Sequence, residues 1–172
     1  MQIVKAPDQR LRTKTKIVKK ITPELLKLAS SMIKFAQSFQ DPEGVGLSTN
    51  QIGKTERFFV AKIGEEFLPF FNPMIHSFSP KTKIFFEGCL SIPDYYGETK
   101  RPISVKVSYQ NEKGEKISKT LRGISSWIFQ HEVDHMNGIL FMERVLESKG
   151  KVFKLAGKDK AGSDVFEEIK IL

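Results

Sequence analysis

The 172-residue chain has one cysteine, one tryptophan and three histidines. The single thiol, Cys89, cannot close a disulfide within the chain. This excludes a disulfide-stapled secreted scaffold and fits a reducing compartment. Long apolar runs are also missing: nothing approaches the ~18 consecutive apolar residues of a spanning helix. The opening MQIVKAPDQRLR shows no apolar segment followed by a small-residue cleavage site. The expectation is a protein that neither spans a membrane nor carries a secretory leader. Aromatic and apolar residues, by contrast, are plentiful. With 14 Phe, 40% apolar residues and 28% charged residues, the chain can build a core, which excludes global disorder. At roughly 150 residues per domain, the length predicts one domain over residues 1–172.

Lys plus Arg number 28 against 20 Asp plus Glu, a formal charge of +8. Such a balance favours encounters with polyanions such as ribosomal RNA, and serves solubility equally well. No basic cluster interleaved with aromatics stands out, only pairs such as Lys19–Lys20 and the stretch from Lys149 to Lys160. A solvated basic face is the simpler reading, and specific nucleic-acid binding is not expected.

From Thr22 to Phe39 apolar residues recur every three or four positions, with Thr22 placed to cap and Pro23 at the first helical position. An amphipathic helix is predicted there, stopped by Asp41, Pro42, Glu43 and Gly44. Short β-like runs follow at Arg57–Ile63, Phe67–Phe71 and Ile84–Phe86. Ile103, Val105, Val107 and Tyr109 alternate strictly, and a turn at Asn111–Gly114 leads into a partner strand from about Lys116 to Leu121. Beyond Phe141 the chain is Lys- and Gly-rich. The tail from about residue 148 reads as non-helical, with a β-like end from Val165 to Leu172.

The second predicted helix, about Gly123–Asn137, carries the chemistry. Ile124, Trp127, Ile128, His131 and His135 fall on one of its faces, so both imidazoles point toward the interior. His131-Glu132-Val133-Asp134-His135 matches H-E-x-x-H, in which two histidines one turn apart can hold a metal while the intervening Glu acts on a water. A third ligand is needed. The longer H-E-x-x-H-x-x-G-x-x-H metalloprotease form is matched through Gly138 but has Phe141 where its third histidine belongs. His76, Cys89, Glu143 and Glu147 remain as candidates, and a Cys89 thiolate would be the strongest ligand of the set.

Three motifs stand in order: GVGLSTNQ at 44–51, EGCLS at 87–91 and QHEVDH at 130–135. Together they resemble the signature of the peptide deformylases, metallohydrolases that remove the N-formyl group from nascent bacterial and organellar polypeptides. The resemblance runs from the first helix to about Met142. It implies an α+β fold of short, mostly antiparallel strands around a central metal-binding helix. Cys89, His131 and His135 would hold one divalent ion, with Fe(II) favoured over Zn(II), Ni(II) or Co(II). Glu132 would be the acid/base, and Gln51 with the Leu90 N–H would bind the oxyanion. Gly44, Val45 and Gly46 would pair with the peptide backbone; Glu87 would anchor the second motif through hydrogen bonding, and Glu87 and Gly88 would stand with the substrate-binding residues. Ile124, Trp127 and Ile128 would form an apolar wall for the methionine side chain, with Val45 and Phe85 opposite.

The implied partners are a formylmethionyl peptide and, transiently, the ribosome, in a bacterial-type cytoplasm or an organelle. Two departures stand out. Ser48-Thr49 replaces the usual Ala-Ala, from which a change of packing is expected. A β-like tail replaces the amphipathic helix that ends many bacterial members. The competing readings are an H-E-x-x-H metalloprotease and a basic ribosome- or RNA-binding protein with a structural metal site.

Overall fold

Thr22 begins the first helix through its side-chain oxygen, which accepts the Leu25 N–H at 3.4 Å; Pro23 occupies the first turn, and α1 spans Pro23–Gln37. The computed structural model describes residues 1–40 and 42–170. Asp41, read as part of a helix stop, and Ile171 and Leu172, read as part of a terminal β segment, lie outside the described residues. The strands are β1 (Gly46–Ser48), β2 (Phe58–Ile63), β3 (Glu66–Phe78), β4 (Thr82–Cys89), β5 (Ile92–Pro102), β6 (Ser104–Gln110) and β7 (Lys116–Arg122). Two helices, α2 (Gly123–Met136) and α3 (Phe141–Glu147), precede β8 (Val152–Lys158) and β9 (Asp164–Ile169). Every strand pairing is antiparallel, giving one sheet in the order β1-β2-β3-β6-β7 and another in the order β4-β5-β8-β9. This is an α+β architecture.

β2 explains why the run FFVA is apolar throughout. Phe58 and Val60 pack with Ala29, Met32 and Ala36 of α1. Phe59 and Ala61 point the other way, into a cluster with Phe70, Tyr109 and the α2 residues Ile128, Phe129, Val133 and Met136. A strand with a helix over each face buries both of its side-chain sets, so alternation disappears. Sandwiched in this way, α2 is held firmly against the sheet. The Phe59, Phe70 and Phe129 rings lock that contact with centroid separations of 4.9 to 5.6 Å.

Several elements differ from expectation. β3 runs 13 residues, through Pro69 and on past Pro73, beyond the expected end at Phe71. Its pairing with β6 slips between Phe71 and Met74 and again between Ile75 and Ser77, and the first of these bulges absorbs Pro73, which cannot donate to a ladder. β5 was not visible, because its inward residues include Thr99 and Arg101 and hide the usual alternation. α3 buries only Phe141 and Val145, too few for a periodic signal. The Gly-rich tail forms the β8–β9 hairpin, which joins β5 through Tyr95–Gly97 and extends the second sheet.

Candidate metal centre

β4 delivers Cys89 at its C-terminal end, where the pairing with β5 slips between Gly88 and Cys89. α2 delivers His131 and His135 from successive turns, with ring centroids 5.0 Å apart. The cysteine sulfur and one nitrogen of each imidazole lie within 4.8 Å of one another, and Cys89 Sγ is 3.2 Å from His135 Nε2. These are one soft and two borderline donors converging on a single point. Such a set fits one divalent ion with room for a further ligand.

The surroundings prepare each donor. His131 Nδ1 lies 2.9 Å from Glu87 Oε2, which places a proton on Nδ1 and leaves Nε2 a lone pair. Burial opposes ionisation of Glu87, but hydrogen bonds from His131 and Arg101 outweigh it and hold the carboxyl down at about 2. Thr99 Oγ1 and Arg101 Nε donate to Glu87 Oε1, and Arg101 Nη2 donates to Oε2 at 3.0 Å. Arg101 continues to Asp134 at 2.9 Å, and Arg144 reaches Asp134 at 2.7 Å. Burial disfavours a charged His131, yet its hydrogen bonds to Cys89 and Glu87 raise it well above the ordinary histidine value. His135 is pushed well below the ordinary value, first by burial and then by His131, so it stays neutral, as a ligand must.

Glu132 sits on the same helix, and burial lifts its carboxyl above the usual range against opposing pulls from His131 and Ser48. Ser48 Oγ donates to Glu132 Oε2 at 2.7 Å. Gln51 is fixed by the Ser48 N–H, which donates to its Oε1 at 2.9 Å. That leaves the Gln51 Nε2 donor aimed at Cys89 Sγ, 3.4 Å away, and Ser91 Oγ, 3.2 Å away. A cavity of about 220 Å³ opens in front, with Val45, Gly46, Gln51, Leu90, Trp127 and Glu132 among its walls. Gly44, Gly88, Cys89, Ile128 and His131 also line it; His135 sits behind them, 1% exposed.

Some expectations need correction. Ile124 is 66% exposed. Although it shares the face of His131, seven residues place it about 10 Å up the helix axis, beyond the cavity. Glu87 anchors its motif through hydrogen bonds, as expected, but it is wholly buried with both oxygens committed to Thr99, Arg101 and His131, so it props a histidine and does not face substrate. Phe85 stacks on Trp127 at 5.4 Å, and the neighbouring Phe86 takes its expected place on the cavity wall. A Cβ on Gly44 would meet Ala36 O at 2.3 Å, and one on Gly46 would meet Glu132 Oε1 at 2.3 Å. Both glycines therefore answer to internal packing as well as to an incoming chain. Ser48 does more than pack, since its hydroxyl bonds the Glu132 carboxylate.

His76, Glu143 and Glu147 are engaged elsewhere: with Ser108, with Arg12 and with Arg144. Tyr96, Phe86 and Arg101 were missed. Tyr96 and Arg101 lie on the strand that sequence patterning did not show.

The fold and this centre define a metallohydrolase-type site, a helix-borne H-E-x-x-H completed by a cysteine. The family model described as "Polypeptide deformylase" matches residues 1–151. A curated peptide deformylase of Brucella suis is 39% identical over 168 residues, covering 92% of this chain and 94% of its own. The crystal structure of the Thermotoga maritima peptide deformylase superposes with a TM-score of 0.78 at 38% identity, covering 84% of this chain and 96% of that one. Peptide deformylase 1B of Arabidopsis thaliana, solved with an inhibitor, gives 0.77 at 37% identity, covering 86% and 85%. The chain belongs to the polypeptide deformylase family.

Proposed function

We propose that the chain hydrolyses the N-terminal formyl amide of formylmethionyl peptides, releasing formate and a free amine, with Cys89, His131 and His135 holding one divalent ion. One observation carries this reading: Cys89, His131 and Glu132 face a cavity between β1 and β4, each the terminal strand of its sheet, with His135 completing the donor set directly behind them. An extended peptide can add to such edges by main-chain pairing. The ion would supply Lewis acidity, lowering the pKa of water toward neutrality and polarising the formyl carbonyl. Glu132 takes a proton from the attacking water and returns it to the departing amine nitrogen as the C–N bond breaks. Gln51 Nε2 and the Leu90 N–H donate to the oxygen that gains charge. Trp127, Ile128 and Val45 offer an apolar slot suited to an unbranched methionine side chain.

The family resemblance supports Fe(II) in this reading; the donor set by itself accommodates Zn(II), Ni(II) or Co(II) equally. No helix among the described residues is long and apolar enough to cross a membrane. A cytoplasmic setting, one domain over residues 1–172 and transient ribosome contact through the basic surface complete the proposal. A longer-motif metalloprotease would place a histidine at Phe141, and a closed structural site would seal its metal from the cavity; neither matches the site.

Formate release from a formyl-Met peptide, with metal content measured alongside, tests the assignment. Cys89→Ala is expected to lose metal and activity together, whereas Glu132→Gln keeps the metal and loses about 10² to 10⁴ in rate. Full metal occupancy in the first variant, or near-normal rate in the second, overturns the corresponding role.

A further inference from the structure

Ser48 is wholly buried and Glu132 is 3% exposed. The serine hydroxyl lies 2.7 Å from Glu132 Oε2 and 3.2 Å from the Glu132 backbone oxygen, so its single proton goes to the nearer carboxylate. Among the described residues it is the only hydrogen-bond donor on that carboxylate. The other oxygen, Oε1, lies against Gly46, where even a Cβ would come within 2.3 Å. The carboxylate is therefore held at Oε2 by Ser48, while the missing side chain of Gly46 leaves Oε1 uncovered. Through its N–H, 2.9 Å from Gln51 Oε1, Ser48 also fixes which end of the Gln51 amide faces the cavity.

We propose that Ser48 is a positioning residue: its hydroxyl anchors Glu132 Oε2 and so reserves Oε1, on the Gly46 side, for proton exchange with the reacting groups. The inference rests on Glu132 being the proton carrier. An acid/base group works only within hydrogen-bond reach of the proton it moves, and a carboxylate free to rotate spends part of its time out of reach. No substrate contact is assigned to Ser48, so the effect belongs in kcat and not in KM.

The test uses the full chain loaded with metal and compares Ser48→Ala, Ser48→Thr and Glu132→Gln by steady-state kinetics, metal content and Tm. Ser48→Ala is expected to keep KM and metal and to lose about tenfold in kcat. Ser48→Thr, which restores a hydroxyl, should return kcat to within about threefold of the parent. If the extra methyl overpacks the buried position, Ser48→Cys preserves the size with a weaker donor and should fall between Ala and Ser. An unchanged kcat in Ser48→Ala, a change confined to KM, or a loss explained wholly by metal or Tm overturns the proposal. A fully active Glu132→Gln would instead overturn the acid/base reading beneath it, so the two failures are distinguishable.

Discussion

At the residue scale the glycines of the first motif separate activity from folding. A Cβ on Gly46 would press on the tip of Glu132, a side-chain end that can move, whereas a Cβ on Gly44 would press on the Ala36 backbone oxygen, which cannot. Gly46→Ala is therefore expected to leave Tm within about 2 °C of the parent while lowering kcat at least tenfold through the displaced carboxylate. Gly44→Ala should lower Tm by several degrees, because a backbone clash strains the end of α1. Thermal melts beside kinetics on both variants decide it, and equal effects on Tm would sink the distinction. The metal ligands were legible in the sequence because H-E-x-x-H carries its geometry in its spacing. The props were not: nothing local in GETKRP says that Thr99 and Arg101 meet Glu87 across a strand pair, or that Ser48 reaches a helix 84 residues away.

At the element scale the β8–β9 hairpin has a task at the cavity. Phe166 of β9 meets Phe86 at 5.2 Å and Tyr96 at 4.9 Å, and those two rings, stacked at 5.5 Å, both line the cavity. Gly88 makes this possible, since a Cβ there would strike the Tyr96 ring at 2.6 Å. Phe166→Ala removes the outer support of that wall without touching Cys89, His131, His135 or Glu132. KM for a formyl-Met peptide is expected to rise several-fold with kcat and metal content unchanged, the pattern of lost uniform binding. A fall in kcat at constant KM would place the hairpin's influence elsewhere. Long periodic elements showed in the sequence: α1, α2 and the β6–β7 hairpin stand within a few residues of their expected limits. β1, β5 and α3 did not, because three residues, a polar inner face and a two-residue apolar signal leave no period to read.

At the scale of the whole molecule the metal centre sits at the junction of the two sheets. Cys89 belongs to the four-stranded sheet, while both histidines belong to the helix packed on the five-stranded one. The polar chain Glu87–Arg101–Asp134 and the apolar group of Phe141, Val145, Val152, Cys89 and Ile92 also cross this junction. An ion held by donors from both sides binds the folded arrangement and not the unfolded chain, so it stabilises by mass action. At a free metal concentration a hundred times Kd, that amounts to about 2.7 kcal/mol. For a chain of this size each kcal/mol shifts Tm by about 2–4 °C, so removing the metal with a chelator should lower Tm by about 5–10 °C. Cys89→Ala supplies the control: having lost the junction, it should melt at the lower temperature with or without chelator. Calorimetry of both proteins in both conditions gives four values. A chelator that abolishes formate release yet leaves the parent Tm unmoved would show that the catalytic ion does not hold the two sheets together.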